Sequence, residues 1–357
     1  MDHNIAVSFV HGYSDLDYEP NRESLPALWI MSPEGEKVYN FPFPRNVSDF
    51  ETYKELLSGP SPMTSAKDFK KLPRFGLTGL SQNKTHLFAG SWNGVYQIRK
   101  SDYGLERIIT NNLMNDLHGI YADDQQIITV LTGKDAVVIS DFEGNVIDCF
   151  TVANDLSIHR DDRLGQIDWR FLSKQFRGAT GLWHFNFVQR FDDEIWLTSR
   201  NTGAFVVVNL TTNKAYLRMM NQKTPVLLHD GVRHDDGLFY FTSIDGKILI
   251  ASEALSKVYN PREEFEGVEL FTRDLVCELI RLEDTELGRE PNWCRGIACH
   301  NETMFVTIDG RYDTDLSFGV IGLDRKGKLL KQSRLKWADV GSEKDLRYVT
   351  GFDLVTF

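Results

Sequence analysis

The sequence predicts an all-β chain in which one small antiparallel sheet is repeated around a ring. Three observations carry that prediction. A pattern of polar residue or glycine, apolar residue, polar corner and short apolar run recurs at 77–94, 117–135, 181–203, 228–246 and 293–310. Two further strand-like pieces joined by turn residues follow, as in "AVVISDFEGNVIDCFTV" (136–152) and "AFVVVNLTTNKAYLRM" (204–219). The end of the chain, "YVTGFDLVTF" (348–357), begins a sixth unit whose missing strands lie at the opposite terminus.

Each unit reads as a four-stranded meander of about forty residues, the size of one propeller blade. In chain order the blades fall near 77–112, 117–152, 182–219, 228–260 and 293–335, and the sixth combines 349–357 with 4–41. "NIAVSFVHG" (4–12) and "PALWIMSPEGEKVYNF" (26–41) supply its remaining strands, and pairing the two termini removes exposed sheet edges. The expectation is therefore a single domain over 1–357, an all-β, six-bladed β-propeller closed by N- and C-terminal strands in one blade. Insertions decorate the ring. "SDFETYKELLSG" (48–59) predicts a short helix, with Ser48 as N-cap, Glu51 completing a capping box and Gly59 past the end. The link 154–180 and the segment 311–319 predict long loops at the mouth where the blades start. A further blade has room in 153–180 or 260–290, and "GVELFTRDLVCELIRLED" (267–284) carries more strand character than one blade needs.

Composition narrows the function classes. The chain has 357 residues, 41% hydrophobic and 25% charged, which suits a globular protein with a large core. A net charge of −11 argues against a nonspecific nucleic-acid binder or a polybasic membrane anchor, so neither nucleic acid nor membrane is expected as a partner. No apolar run approaches the ~20 residues of a spanning helix. The first residues lack a basic stretch followed by an apolar one, and the four cysteines form no disulfide framework. A cytoplasmic, reducing location is the resulting expectation.

The blade starts carry the chemistry. In a propeller the first strand of every blade lines the central channel, so residues far apart in sequence meet at one axis. Aligning the repeats on their glycine–apolar pair puts Thr78, His118, Asp230, Arg295 and Thr350 in equivalent places. The unit at 181 lacks the glycine, and its equivalent is His184 or Asn186. His229 neighbours Asp230, and Asp353 lies one step along the last strand. The candidate catalytic residues are His118, His184, His229, Asp230 and Arg295. Imidazoles of His118, His184 and His229 with the Asp353 carboxylate would suit a divalent metal ion, and Arg295 would grip an anion in bidentate fashion. The same residues would equally serve blade-to-blade hydrogen bonding around a wet channel.

Other constellations favour plain readings. Asp309, Asp313 and Asp315 offer oxygen ligands but miss the EF-hand spacing, which favours a solvated acidic hairpin. "HRDDRLGQIDWR" (159–170) reads as a salt-bridged loop. Cys294, Cys299 and His300 have a poor geometry for zinc, and Cys294 beside Arg295 is better read as buried and inert than as a nucleophile.

"WHFNFVQRFDDEIWLTSRNTGAFVVV" (183–208) resembles one blade of the arylsulfate sulfotransferase-type propellers, with His184, Asn186, Ser199 and Asn201 at the matching positions. The resemblance implies six blades around an axial site and a histidine that carries a sulfuryl group between phenols. Three functional readings stand at this stage. The leading one is a small-molecule enzyme with a His-lined axial pocket, assisted by a divalent metal and acting on a polar or anionic substrate. The second is a non-catalytic propeller that engages a protein partner through its loops. The third is metal-free, histidine-dependent group transfer.

Overall fold

Six antiparallel sheets follow one another around a common axis in the computed structural model, which describes residues 4–11, 26–32, 36–42, 75–160, 168–170, 183–219, 227–234, 236–253, 275–284, 293–309, 319–334 and 349–357. From axis to rim, blade 1 runs Val349–Thr356, Ile5–His11, Pro26–Met31, Lys37–Pro42. Blade 2 runs Leu80–Gln82, His86–Gly90, Val95–Arg99, Leu105–Ile109, and blade 3 runs Leu117–Ala122, Ile127–Leu131, Ala136–Ser140, Val146–Val152. Blades 4 and 5 begin at the axis with Phe185–Phe191 and Leu228–Arg233, and blade 6 begins with Trp293–His300. The inner strands contact one another in sequence, and the last returns to the first. This is the six-bladed propeller.

Closure joins the chain ends. Val349–Thr356 pairs antiparallel with Ile5–His11, from Ile5 opposite Thr356 to His11 opposite Val349. The amide and carbonyl of Asn4 exchange hydrogen bonds with those of Phe357, both 2.9 Å. The expected helix at 48–59 lies outside the described residues. Among those residues the only helical turns are Thr132–Lys134 and Leu282–Asp284, both 3₁₀.

The described strands of the two segments that left room for another blade belong to existing blades. Leu275–Arg281 is the outer strand of blade 5, paired along its length with Lys247–Glu253. Ile158–His159 adds a fifth strand to the rim of blade 3. Leu275–Arg281, within the strand-like stretch 267–284, thus completes the blade that the sequence placed at 228–260.

The core is six slabs, one between each pair of neighbouring blades. In blade 4, Ile195, Leu197, Val206 and Val208 pack toward blade 3, while Trp196, Phe205 and Val207 pack toward blade 5. In blade 1, Ala6, Leu28 and Ile30 face blade 2, and Val7, Phe9 and Trp29 face blade 6. Successive side chains point to opposite faces of a strand, and here both faces are covered. That is why the middle strands read as unbroken apolar runs such as "FVVV" rather than as alternations.

Candidate axial site

The glycine of the repeat marks the narrowest part of the ring. A Cβ on Gly79 would lie 2.2 Å from the carbonyl oxygen of His118, and one on Gly119 would lie 2.8 Å from that of Asn186. On Gly296 it would lie 2.7 Å from the Cα of Asp353. Neighbouring inner strands therefore touch backbone to backbone, and only a residue without Cβ fits. In blade 4, which lacks the glycine, the Phe187 backbone is the surface against which Gly119 packs.

Hydroxyls fix this register. Thr198 Oγ1 accepts the Phe187 amide (3.2 Å) and donates to the carbonyl of His229 in the next blade (3.0 Å). Ser8 Oγ accepts the Asp353 amide (3.1 Å) and donates to the Thr78 carbonyl (2.5 Å). Thr242 accepts the Asp230 amide and donates to the Arg295 carbonyl in the same way. Each bridge sits at a bulge where the first and second strands slip register. The bridged carbonyls belong to Thr78, His229 and Arg295, so the blade-to-blade bonds hold the backbone under the candidate residues.

At the mouth where the blades start, the histidines gather. The rings of His118 and His184 meet edge to face, with centroids 5.9 Å apart. His118 Nδ1 donates to Asn186 Oδ1 at 2.7 Å, and its Nε2 faces Asp116 Oδ1 at 3.4 Å. His229 is 4% exposed and is held well below the ordinary imidazole range. Burial is the main cause, followed by the charges of Arg295, His118, His184 and Arg200 around it. Three blades supply the imidazoles and a fourth supplies Arg295.

The backbone here is strained. Asp116, Asp135 and His184 all have positive φ, at 52°, 49° and 50°. Such conformations cost about 1–3 kcal/mol each for a residue with a side chain, and they concentrate at functional sites. Asp135 maintains the turn at His184. Its oxygens accept the amides of Trp183 (3.0 Å) and His184 (2.8 Å), and burial pushes its carboxyl up to about 6.

Asp230 and Asp353 do something different. They face each other beyond the glycine ring, where a cavity of about 230 Å³ is lined by the later residues of all six inner strands. Asp353 accepts the amides of Leu80 (2.5 Å) and Leu354 (2.7 Å), while Asp230 accepts that of Ile297 (3.0 Å). Burial and the neighbouring Asp353 charge push Asp230 well above the usual carboxylate range, so the two share a proton. A carboxyl whose pKa is raised on folding contributes stability below its unfolded value near 3.9, and loses it as pH rises through its folded value. Asp230→Asn keeps both an acceptor for Ile297 and a donor for Asp353, and it cannot ionise. Its melting temperature is expected to hold as pH rises above about 4, where the parent protein's falls. Parallel melting-versus-pH curves would contradict the shared proton.

The expected metal shell of His118, His184, His229 and Asp353 is not assembled among the described residues. Asp353 spends its oxygens on backbone amides and Asp230, and His118 Nδ1 is committed to Asn186. Among the described residues no group of three His, Cys, Asp or Glu side chains is arranged to hold a metal ion.

The remaining expectations fall as follows. Cys294 is fully buried and its thiol is pushed up by that burial, which fits an inert cysteine. His300 Nε2 bonds the Asn301 amide at 2.9 Å, on the corner after the Cys294 strand. Ser199 Oγ donates to the Trp183 carbonyl (2.9 Å), a structural bond within blade 4. Asp313 and Asp315 lie outside the described residues. Of the 154–180 link, Trp169 sits beside the start of blade 3, bonded to Asn112 and Asn115. Sequence reasoning missed Arg200, Asp116 and Asp135. Their signal is weak, since each lies in a turn next to a strand end, where polar residues are ordinary.

No protein-family model matches the chain, and no curated protein matches it. Neither comparison shows the likeness to sulfotransferase-type propellers. Among solved structures, a protein of unknown function from Bacteroides caccae matches with a TM-score of 0.54 and 9% identity, covering 100% of this chain and 99% of that one. A chain of a nidogen/laminin complex matches with a TM-score of 0.51 and 8% identity, covering 99% and 98%. The β-propeller domain of Myceliophteria thermophila Cps50 (Swd1) gives 0.46 and 10% identity over 90% and 89%. At such identities a likeness bears on the fold alone. Among the described residues no helix is long and apolar enough to cross a membrane.

Proposed function

We propose that the protein binds a small anionic ligand at the mouth where its blades start, and uses the imidazoles there for proton or group transfer. The supporting observation is the gathering of His118, His184, Arg200 and Arg295 around a buried, neutral His229. Two guanidiniums supply permanent positive charge and planar forks suited to carboxylate, phosphate or sulfate oxygens. Burial and these charges keep His229 neutral, so it meets a ligand as a hydrogen-bonding imidazole, and proton transfer falls to His118 and His184. His118, with Asn186 on one nitrogen and Asp116 facing the other, is oriented to give or hold a proton. The strained turn at His184 presents a partly exposed ring to the same mouth. This is the metal-free form of the histidine chemistry that the sequence raised.

Calorimetric titration with inorganic phosphate and sulfate tests the reading. Saturable binding of at least one anion is expected, weakened by about 10- to 100-fold in both Arg295→Ala and Arg200→Ala, since a charge-assisted hydrogen bond contributes about 1.5–3 kcal/mol. No saturable binding of either anion, or unchanged binding in both variants, would reject the site.

A further inference from the structure

Blade 4 enters the ring through a turn that blade 3 holds. Between Ile127–Leu131 and Ala136–Ser140, the 3₁₀ turn of blade 3 ends at Asp135, which sits in the left-handed region with φ 49° and ψ 41°. Its carboxyl, on a residue only 2% exposed, reaches the neighbouring blade. One oxygen accepts the amide of Trp183 (3.0 Å) and the other that of His184 (2.8 Å). His184 has a φ of 50°, which a residue with a side chain disfavours, and its ring meets that of His118 at the mouth. Its carbonyl accepts the Arg200 amide at 3.4 Å, so one turn carries both His184 and Arg200.

The flanks of this turn are fixed by other bonds. Trp183 Nε1 donates to the Val152 carbonyl (2.8 Å), and its ring stacks on Phe185 with centroids 6.1 Å apart. Thr132 Oγ1 donates to the Phe185 carbonyl (2.5 Å). Docking of blade 4 on blade 3 thus has its own supports, and what depends on Asp135 is the backbone conformation at His184. An ionised carboxyl is acceptor-only and has an oxygen for each amide. Protonation turns one oxygen into a donor, which then faces an amide N–H instead of accepting it.

We infer that Asp135 is a positioning residue of the axial mouth: as a carboxylate it holds His184 in its left-handed conformation, and so places the His184 ring beside His118 and Arg200. Protonation releases that hold. Hydrogen bonds to the charged form and ionisation favour each other, so the arrangement with both amides bonded belongs to the carboxylate. Burial opposes the amides and brings the change to about pH 6. The other titratable groups around the turn are His184 itself and, lining the cavity behind it, Lys134, Asp155 and His159. Lys134 lies over the Trp169 ring, while Asp155 and His159 are both engaged by the Ser157 hydroxyl. The consequence for a ligand rests on the anion site proposed above, whereas the hold on His184 does not.

Nuclear magnetic resonance of the full chain tests this without any variant. The Asp135 carboxyl carbon and the amide protons of Trp183 and His184 are followed from about pH 3 to 8. Both amide protons are expected to move together with that carbon, at one shared midpoint near 6. Trp183 has no titrating side chain, so its shift separates Asp135 from the His184 imidazole. Amide protons that stay still as the carbon titrates, or a carbon with the ordinary midpoint near 3.9, overturn the inference. Sulfate titration of Asp135→Asn is the functional arm. Its carboxamide has one acceptor oxygen for two amides, and affinity is expected to fall about 5- to 10-fold, the size of one net hydrogen bond. Unchanged affinity overturns the placement of the mouth residues by Asp135. If the parent binds neither sulfate nor phosphate, the anion reading falls, and the amide titration still decides the role of Asp135.

Discussion

Deleting residues 350–357 is expected to abolish the single cooperative unfolding transition. The segment is the inner strand of blade 1, paired with Ile5–His11 and in contact with the inner strands of blades 6 and 2. Its loss uncovers the apolar slab that joins Val7, Phe9 and Trp29 to Ala298, Phe305 and Val320, from which Leu354 is also removed. It also strips the Leu80 amide of its Asp353 acceptor and leaves Ser8 without the amide it accepts. Bare strand edges then face solvent in a ring that can no longer close. The combined loss is on the order of the whole net stability of a domain, about 5–15 kcal/mol. Denaturant titration followed by tryptophan fluorescence and circular dichroism measures it. A truncated chain melting at the parent's temperature would show that closure contributes little.

Gly119→Ala is expected to destabilise the protein by about 3 kcal/mol or more, a large effect for one methyl group. The new Cβ would meet the Asn186 carbonyl oxygen at 2.8 Å and the Phe187 Cα and carbonyl carbon at 3.0 Å, all backbone atoms that cannot swing aside. Relief requires blades 3 and 4 to part. That movement pulls on the 2.7 Å bond between His118 and Asn186 and on the contact of His118 with His184. Anion binding should therefore weaken along with stability. Gly237→Ala is the control. Nothing lies within 4 Å of its would-be Cβ, so only its φ of +81° is penalised, at about 1 kcal/mol. Equal losses in the two variants would mean that the inner ring yields more readily than its geometry implies.

Much of this architecture was legible because blades are local structures. Turn residues, polar corners and apolar runs such as "IITVL" and "AVVIS" form hairpins from neighbouring residues, so their repetition reveals the blade count. Closure was legible for the same reason: "YVTGFDLVTF" carries the first-strand pattern without the strands to follow it. The outer strand of blade 5 was harder to place. Leu275–Arg281 pairs with Lys247–Glu253 across a long insertion, and strand character alone does not name a partner.

The axial site divides along the same line. Sequence by itself determined that His118, His184, His229 and Arg295 approach one axis, because a repeat alignment becomes a ring position once the fold is a propeller. Which way each side chain points was decided only in three dimensions. At Leu228–Gly231 the first strand slips register against its neighbour, and the alternation of faces no longer follows simple counting. His229 therefore sits among the mouth residues, while Asp230, the next residue, faces Asp353 beyond the glycine ring. The expected metal shell assigned imidazoles and carboxylate to one level of the channel, whereas Asp353 is placed with Asp230. Arg200 and Asp135 are long-range neighbours of the histidines, Asp116 is a turn residue two positions before His118, and none has a repeat signal of its own. Sequence repeats encode the hydrogen-bonded ladders that make blades, whereas the site is made by side chains from different blades, and only their packing around the axis brings those together.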